Sequence, residues 1–280
     1  MASVADENAL PAGLEATGTP AADAEPDAAQ APPLPFGTLR PEHRPAGGPR
    51  YWIALSLASL VGCNAGDLVV SAFGVLDSLP LLIAAFAVLL ALEQDGEHRT
   101  EAYYWLLVIV ARTAATNLAD FAGRQVGVPA TVPIMAALLL GLAGARRYLG
   151  SRPIRNRATC AGKDAVPIDG LSWATMLVAG SLGTAIGDLL SFHLGLGGAS
   201  LLLSGAVALL IGLKATRLPA APAPYRLAVI AILAAGTSLG DVLARVAGLW
   251  QSAAGVFLLL AAVLTLPSRV WSPPATCPAR

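Results

Sequence analysis

The chain has 280 residues, of which 55% are hydrophobic and only 13% charged, with a formal net charge of +0 and a mean hydropathy of +0.64. A soluble domain of this size does not carry so apolar a composition, so an integral membrane protein with the lipid bilayer as its main partner is expected. The absence of net positive charge argues against nucleic-acid binding, and Cys63, Cys160 and Cys277 lack the close spacing of a zinc site or a disulfide framework.

Residues 1–50 are rich in Ala, Pro, Asp and Glu and contain no apolar run, which predicts a disordered cytoplasmic tail. A basic start followed by an apolar stretch is missing, so the tail does not read as a secretory signal. From Tyr51 two kinds of apolar segment alternate. Tyr51–Val70, Tyr103–Phe121, Leu171–Leu190 and Tyr225–Leu243 open near an aromatic residue and carry Gly, Thr and Asp, whereas Leu76–Leu92, Val132–Ala145, Ala199–Leu213 and Ala253–Leu266 hold almost nothing ionisable. The pattern predicts an all-α fold of eight transmembrane helices. Residues 51–149 and 171–267 form two four-helix halves, joined by a cytoplasmic linker at 150–170 and followed by a cytoplasmic tail at 268–280. The second set of segments is short against the roughly 20 residues a bilayer core needs. Recruiting residues from the preceding turns lets them span, and re-entrant segments are the alternative.

The tail and the connections after the second segment of each pair hold Arg40, Arg44, Arg50, Arg99, Arg146, Arg147, Arg152, Arg155, Arg157, Lys163, Lys214, Arg217, Arg226 and Arg269, whereas the ends of the Asp-bearing segments hold only Arg124 and Arg245. By the positive-inside rule, both termini are cytoplasmic in a bacterial inner membrane, and the turns starting at Gly74, Gly127, Gly195 and Gly248 face outward. Glycine at those points suits a left-handed helix cap.

The Asp-bearing segments are four copies of one pattern: Cys63-Asn64-Ala65-Gly66-Asp67, Thr116-Asn117-Leu118-Ala119-Asp120, Thr184-Ala185-Ile186-Gly187-Asp188 and Thr237-Ser238-Leu239-Gly240-Asp241. Trp52, Trp105 and Trp173 stand fifteen residues before three of the aspartates, with Tyr225 near that place in the fourth, and glycine follows every Asp by seven residues. Such long-range phase agreement predicts tandem duplication of a two-helix unit. The aromatics read as an interfacial belt. A rise of about 1.5 Å per residue then puts each carboxylate ~22 Å past its belt, inside a ~30 Å core but off its centre. A lipid-facing charge at that depth costs on the order of 1–3 kcal/mol, so the four should turn into the bundle.

Thr four residues earlier, or Asn or Ser three earlier, shares a helix face with each Asp and is expected to hydrogen-bond it. The candidate cation or proton site is therefore Asp67, Asp120, Asp188 and Asp241 with Asn64, Thr116, Asn117, Thr184, Thr237 and Ser238. The competing reading makes each Asp a structural group bonded to a neighbouring helix end. Arg112, eight residues before Asp120, breaks the pattern where the other copies have Ser59, Gly180 and Leu233. It is expected to face inward and pair with a carboxylate as an internal counter-ion. No phosphate-binding glycine loop, HExxH, CxxC or nucleophile elbow is present, so no enzyme chemistry is expected. No cofactor is expected beyond a bound cation, and the residues do not specify a metal.

The repeated Thr-x-x-Gly-Asp motif on Trp-led segments, from Tyr51 to Leu266, resembles a family of bacterial inner-membrane proteins described only as membrane-anchored. That resemblance implies an eight-helix repeat architecture and brings no activity. A fainter likeness is to cation/proton exchangers with a Glu-x-Gly-Asp-Lys motif, whose Glu and Lys are missing here. A small-cation or proton-coupled transporter is the leading expectation, with a membrane scaffold or sensor as its rival.

Overall fold

The computed structural model describes residues 49–95, 101–148, 170–215 and 222–266, and every regular element among them is an α-helix. The N-terminal tail, the central linker and the C-terminal tail expected from the sequence lie outside the described residues, apart from Pro49, Arg50 and Gly170 at their edges. The helices are α1 (Pro49–Phe73), α2 (Val75–Asp95), α3 (Glu101–Val126), α4 (Val128–Tyr148), α5 (Gly170–Ala215), α6 (Pro222–Ala247) and α7 (Leu249–Thr265). Six of the seven are long and apolar enough to cross a membrane, and α7 is shorter. The described chain is thus that of a multi-pass helical membrane protein.

Two of the eight expected segments fall within α5, on either side of a non-helical residue, Gly195, with φ 71° and ψ 160°. Gly74, Gly127 and Gly248 also have positive φ, at 82°, 84° and 92°, and separate the helix pairs α1/α2, α3/α4 and α6/α7. The ψ of 149° at Gly248, like that of Gly195, corrects the expected left-handed cap. This is a region of backbone space open essentially to glycine alone. One residue does the work of the five-residue turns read from the sequence. The Gly248 N–H closes the last turn of α6 on the Ala244 carbonyl at 2.9 Å, and its own carbonyl accepts from the Ser252 N–H at 2.9 Å. Ser78 and Ser252 accordingly belong to the first turns of α2 and α7 and are buried. The residues so recruited bring α2 and α4 to 21 residues each, about 31 Å at 1.5 Å per residue, enough to cross a bilayer core.

Helices α1, α3, the first part of α5, and α6 pack in that order into a closed ring, since α1 touches α3 and α6 while α5 touches α3 and α6. The most apolar windows of α1, α3 and α6 are 50–56% buried, against 22% for α2 and 11% for α4. Small residues form the ring joints. A Cβ on Gly183 would lie 2.9 Å from the Ala234 backbone nitrogen, one on Gly187 3.1 Å from the Thr237 Cβ, and one on Gly66 3.0 Å from the Thr116 Cβ. Backbones approach this closely only where side chains are absent, as in other membrane bundles.

At the opposite end of the ring the belt expectation is overturned. Trp52, Trp105 and Trp173 are buried together with Tyr51 and Tyr104. Tyr104 and Trp105 meet edge to face at 5.1 Å, as do Phe86 of α2 and Trp173 at 5.2 Å. Without glycine joints, the helices need large rings to fill the space between them at native density. The Trp173 indole N–H is buried without a partner, whereas two other polar groups at this end are tied. The Trp105 indole N–H donates to Glu101 at 2.9 Å, and the Arg50 guanidinium donates to Glu101 at 2.9 Å and to the Leu264 carbonyl at 2.8 Å, joining α1, α3 and α7. The side chain of Tyr225 lies outside the described residues.

Candidate cation site

Positions eight, five, four and one before each Asp fall on the inward face of the ring helices, following helical periodicity. The five-before position is always small, held by Gly62, Ala115, Gly183 and Gly236. That spacing leaves room for one long side chain, and Arg112 occupies it. A Cβ on Gly62 would lie 2.6 Å from the Arg112 Cβ and Cγ.

The Arg112 side chain is almost fully buried and spends all five of its N–H donors. Nε donates to the Ser59 hydroxyl at 3.2 Å, Nη1 to Thr116 at 2.9 Å and Thr184 at 2.8 Å, and Nη2 to Thr237 at 2.7 Å and the Leu233 carbonyl at 3.1 Å. The acceptors come from α1, α3, α5 and α6, so one guanidinium fork ties all four ring helices. The hydroxyls pass the pattern on. Thr116 donates to the Arg112 carbonyl and Thr237 to the Leu233 carbonyl, both at 3.3 Å.

Two expectations are corrected here. Arg112 faces inward but makes no ion pair, the ion pair among the described residues being Arg50–Glu101. The threonines do not bond the aspartates one turn on. Their Cα–Cβ bonds tilt toward the helix N-terminus, which aims the hydroxyls at the guanidinium, and charged donors make the stronger hydrogen bonds.

The amide N–H groups of Asn64 and Asn117 do not donate to the carboxylates either. The Asn64 amide donates to Ser252 of α7 at 2.6 Å and the Asn117 amide to Ser78 of α2 at 3.0 Å, locking ring helices to outer ones. Ser238 presents its backbone carbonyl to the Ser200 hydroxyl at 2.9 Å, while its own hydroxyl is buried without a partner. Ser59 and Ser200 have roles the sequence reading did not assign. The signal for Ser59 was its register, which matches that of Arg112.

One turn beyond the hydroxyls, Asp67, Asp120, Asp188 and Asp241 are half-buried, and none accepts a hydrogen bond among the described residues. The carboxylate oxygens of Asp67 and Asp241 and the Cys63 sulfur lie within 4.8 Å of one another. Half-buried carboxylate oxygens that accept no hydrogen bond among the described residues form a hard donor set suited to cations. No family model, curated protein or solved structure matches this chain.

Proposed function

We propose that the protein is a bacterial inner-membrane transporter for a small cation, or one coupled to protons, whose binding site is the ring of four aspartates. In this reading the chain comprises eight transmembrane helices in four duplicated pairs, with α5 counted as two about Gly195. Both termini are cytoplasmic and the carboxylates open outward. The common glycine hinge seven residues after each Asp and the common inward register support the duplication. The observation that carries the function is the contrast inside the ring: every donor of Arg112 is matched, yet one turn away four carboxylates accept no hydrogen bond among the described residues. Aspartates placed only to hold helices together would be bonded to them. Arg112 and the aromatic cluster beyond it close the path on the inner side, as in a site accessible from one side only.

The test is tracer uptake, or cation-driven pH change, in proteoliposomes across a panel of cations. Asp188→Asn should abolish flux while expression and folding persist, and undiminished flux in the corresponding Asn variant at each of the four positions would refute the reading. Orientation is checked with Leu76→Cys and Trp250→Cys, whose parent side chains are exposed. Both should react with an impermeant thiol reagent on intact spheroplasts. A non-transporting sensor is the second reading, favoured by the way Arg112 clamps all four ring helices. Saturable cation binding without flux would assign it.

A further inference from the structure

The four quadrants of the ring are not equivalent. Three present threonine four residues before Asp, and all three hydroxyls accept from Arg112. The fourth presents Cys63, and there Arg112 reaches instead to Ser59, one turn lower on α1. The sulfur, 1% exposed, is left with no hydrogen bond among the described residues.

What the sulfur does face is a pair of carboxylates. Cys63 and Asp67 are one turn apart on α1, and Gly240 lets α6 close in so that Asp241 joins them, all three donor atoms lying within 4.8 Å of one another. A second buried group, the Asn64 Oδ1, lies at the same seam, and its repeat counterpart, Asn117 Oδ1, is likewise buried without a partner, 3.1 Å from where a Cβ on Gly66 would lie. The Asn64 amide nitrogen is fixed by Ser252, which directs Oδ1 inward, and that oxygen is fully buried with no partner. It lies against the same glycine as the sulfur. A Cβ on Gly240 would be 3.0 Å from the Asn64 Oδ1 and 3.6 Å from the Cys63 Sγ.

We propose that Cys63, Asp67 and Asp241 form a site for a borderline-soft divalent transition metal of the zinc class, at the seam between α1 and α6. The proposal rests on the cation-site reading and narrows its ligand. Thiolate ligands favour zinc-like ions, whereas sodium, magnesium and calcium take oxygen. Bonds of about 2.0–2.3 Å in a tetrahedral site separate ligand atoms by roughly 3.3–3.8 Å, so modest rotation of the half-buried carboxylates closes the group. On binding, the thiol proton leaves to solvent and the sulfur lone pair goes to the metal. Three protein donors leave a fourth position for water, whereas structural zinc sites are closed by four protein ligands. The contrary reading makes Cys63 a small core residue, and free cysteine is common in cores.

Full-length protein carrying Cys160→Ser and Cys277→Ser, purified in detergent, is titrated with Co²⁺ and then with competing Zn²⁺. One equivalent of Co²⁺ should give a thiolate-to-cobalt charge-transfer absorption that Zn²⁺ removes. Cys63→Thr, which restores the residue of the other three quadrants, should lose that absorption and weaken Zn²⁺ binding at least as much as loss of an outer-shell partner does, about 10–100-fold, at unchanged melting temperature. No charge-transfer absorption, or equal Zn²⁺ affinity in Cys63→Thr, would overturn the proposal. If cation flux in proteoliposomes persists in that case, the transport reading survives it. The charge-transfer absorption with Zn²⁺ binding but no flux would instead uphold the metal site and remove the transport reading.

Discussion

The two polar layers of the ring sit one helical turn apart and are built on opposite principles. In the layer of Arg112 with Ser59, Thr116, Thr184 and Thr237, each guanidinium donor has an acceptor, and the acceptors span four helices. In the layer of Asp67, Asp120, Asp188 and Asp241, no carboxylate accepts a hydrogen bond among the described residues. The first layer has the completeness that burial demands of a structural network. The second keeps its strongest acceptors unspent and only half-buried, which helix packing alone does not require.

If that division is right, substitutions in the two layers should differ in kind. The largest effect on stability is expected for Arg112→Ala, which empties a close-packed centre and releases one fork from four helices. A loss of about 3–5 kcal/mol follows from comparable buried truncations, read as a fall in melting temperature in detergent. A variant melting like the parent would mean that the matched layer does not hold the ring.

Next comes the joint that lets the layers form. Gly183→Ala places a Cβ against the α6 backbone, which cannot rotate aside, and should cost about 1–3 kcal/mol. On the outer helix α4, a Cβ on Gly141 meets nothing within 4 Å. Gly141→Ala should therefore leave stability unchanged or raise it by up to about 1 kcal/mol through helix propensity. Equal losses in both variants would erase the distinction between ring and outer helices.

Much of this frame could be read from the residues. The all-helical membrane class followed from composition, the inward face from the small residues near each Asp, and the hinges from glycine seven residues later. The belt reading of Trp52, Trp105 and Trp173 failed because an aromatic at a membrane helix end looks the same in sequence whether it meets lipid or fills a widening core. Two expected segments lie within α5 on either side of the non-helical Gly195, which stands at the glycine position seven residues after Asp188. The partner of Arg112 was misread because four carboxylates on the same segments looked the stronger attraction. Distance and side-chain tilt favoured the hydroxyls instead. Cys63 was passed over because cysteines were judged by their spacing to other cysteines, and its neighbours are aspartates from its own helix and from one nearly 180 residues away.

The division between the two layers is tested most directly by thermal melting of the parent and of the variant carrying Asp→Asn at positions 67, 120, 188 and 241, each with and without added cation. Without cation the two should melt within about 1 kcal/mol of each other, since asparagine keeps the shape and no bonded acceptor is lost. A cation at 100 times its Kd should stabilise the parent by about 2.7 kcal/mol and leave the variant where it was. A variant that melts far below the parent without any cation, or a cation that raises both alike, would contradict the account.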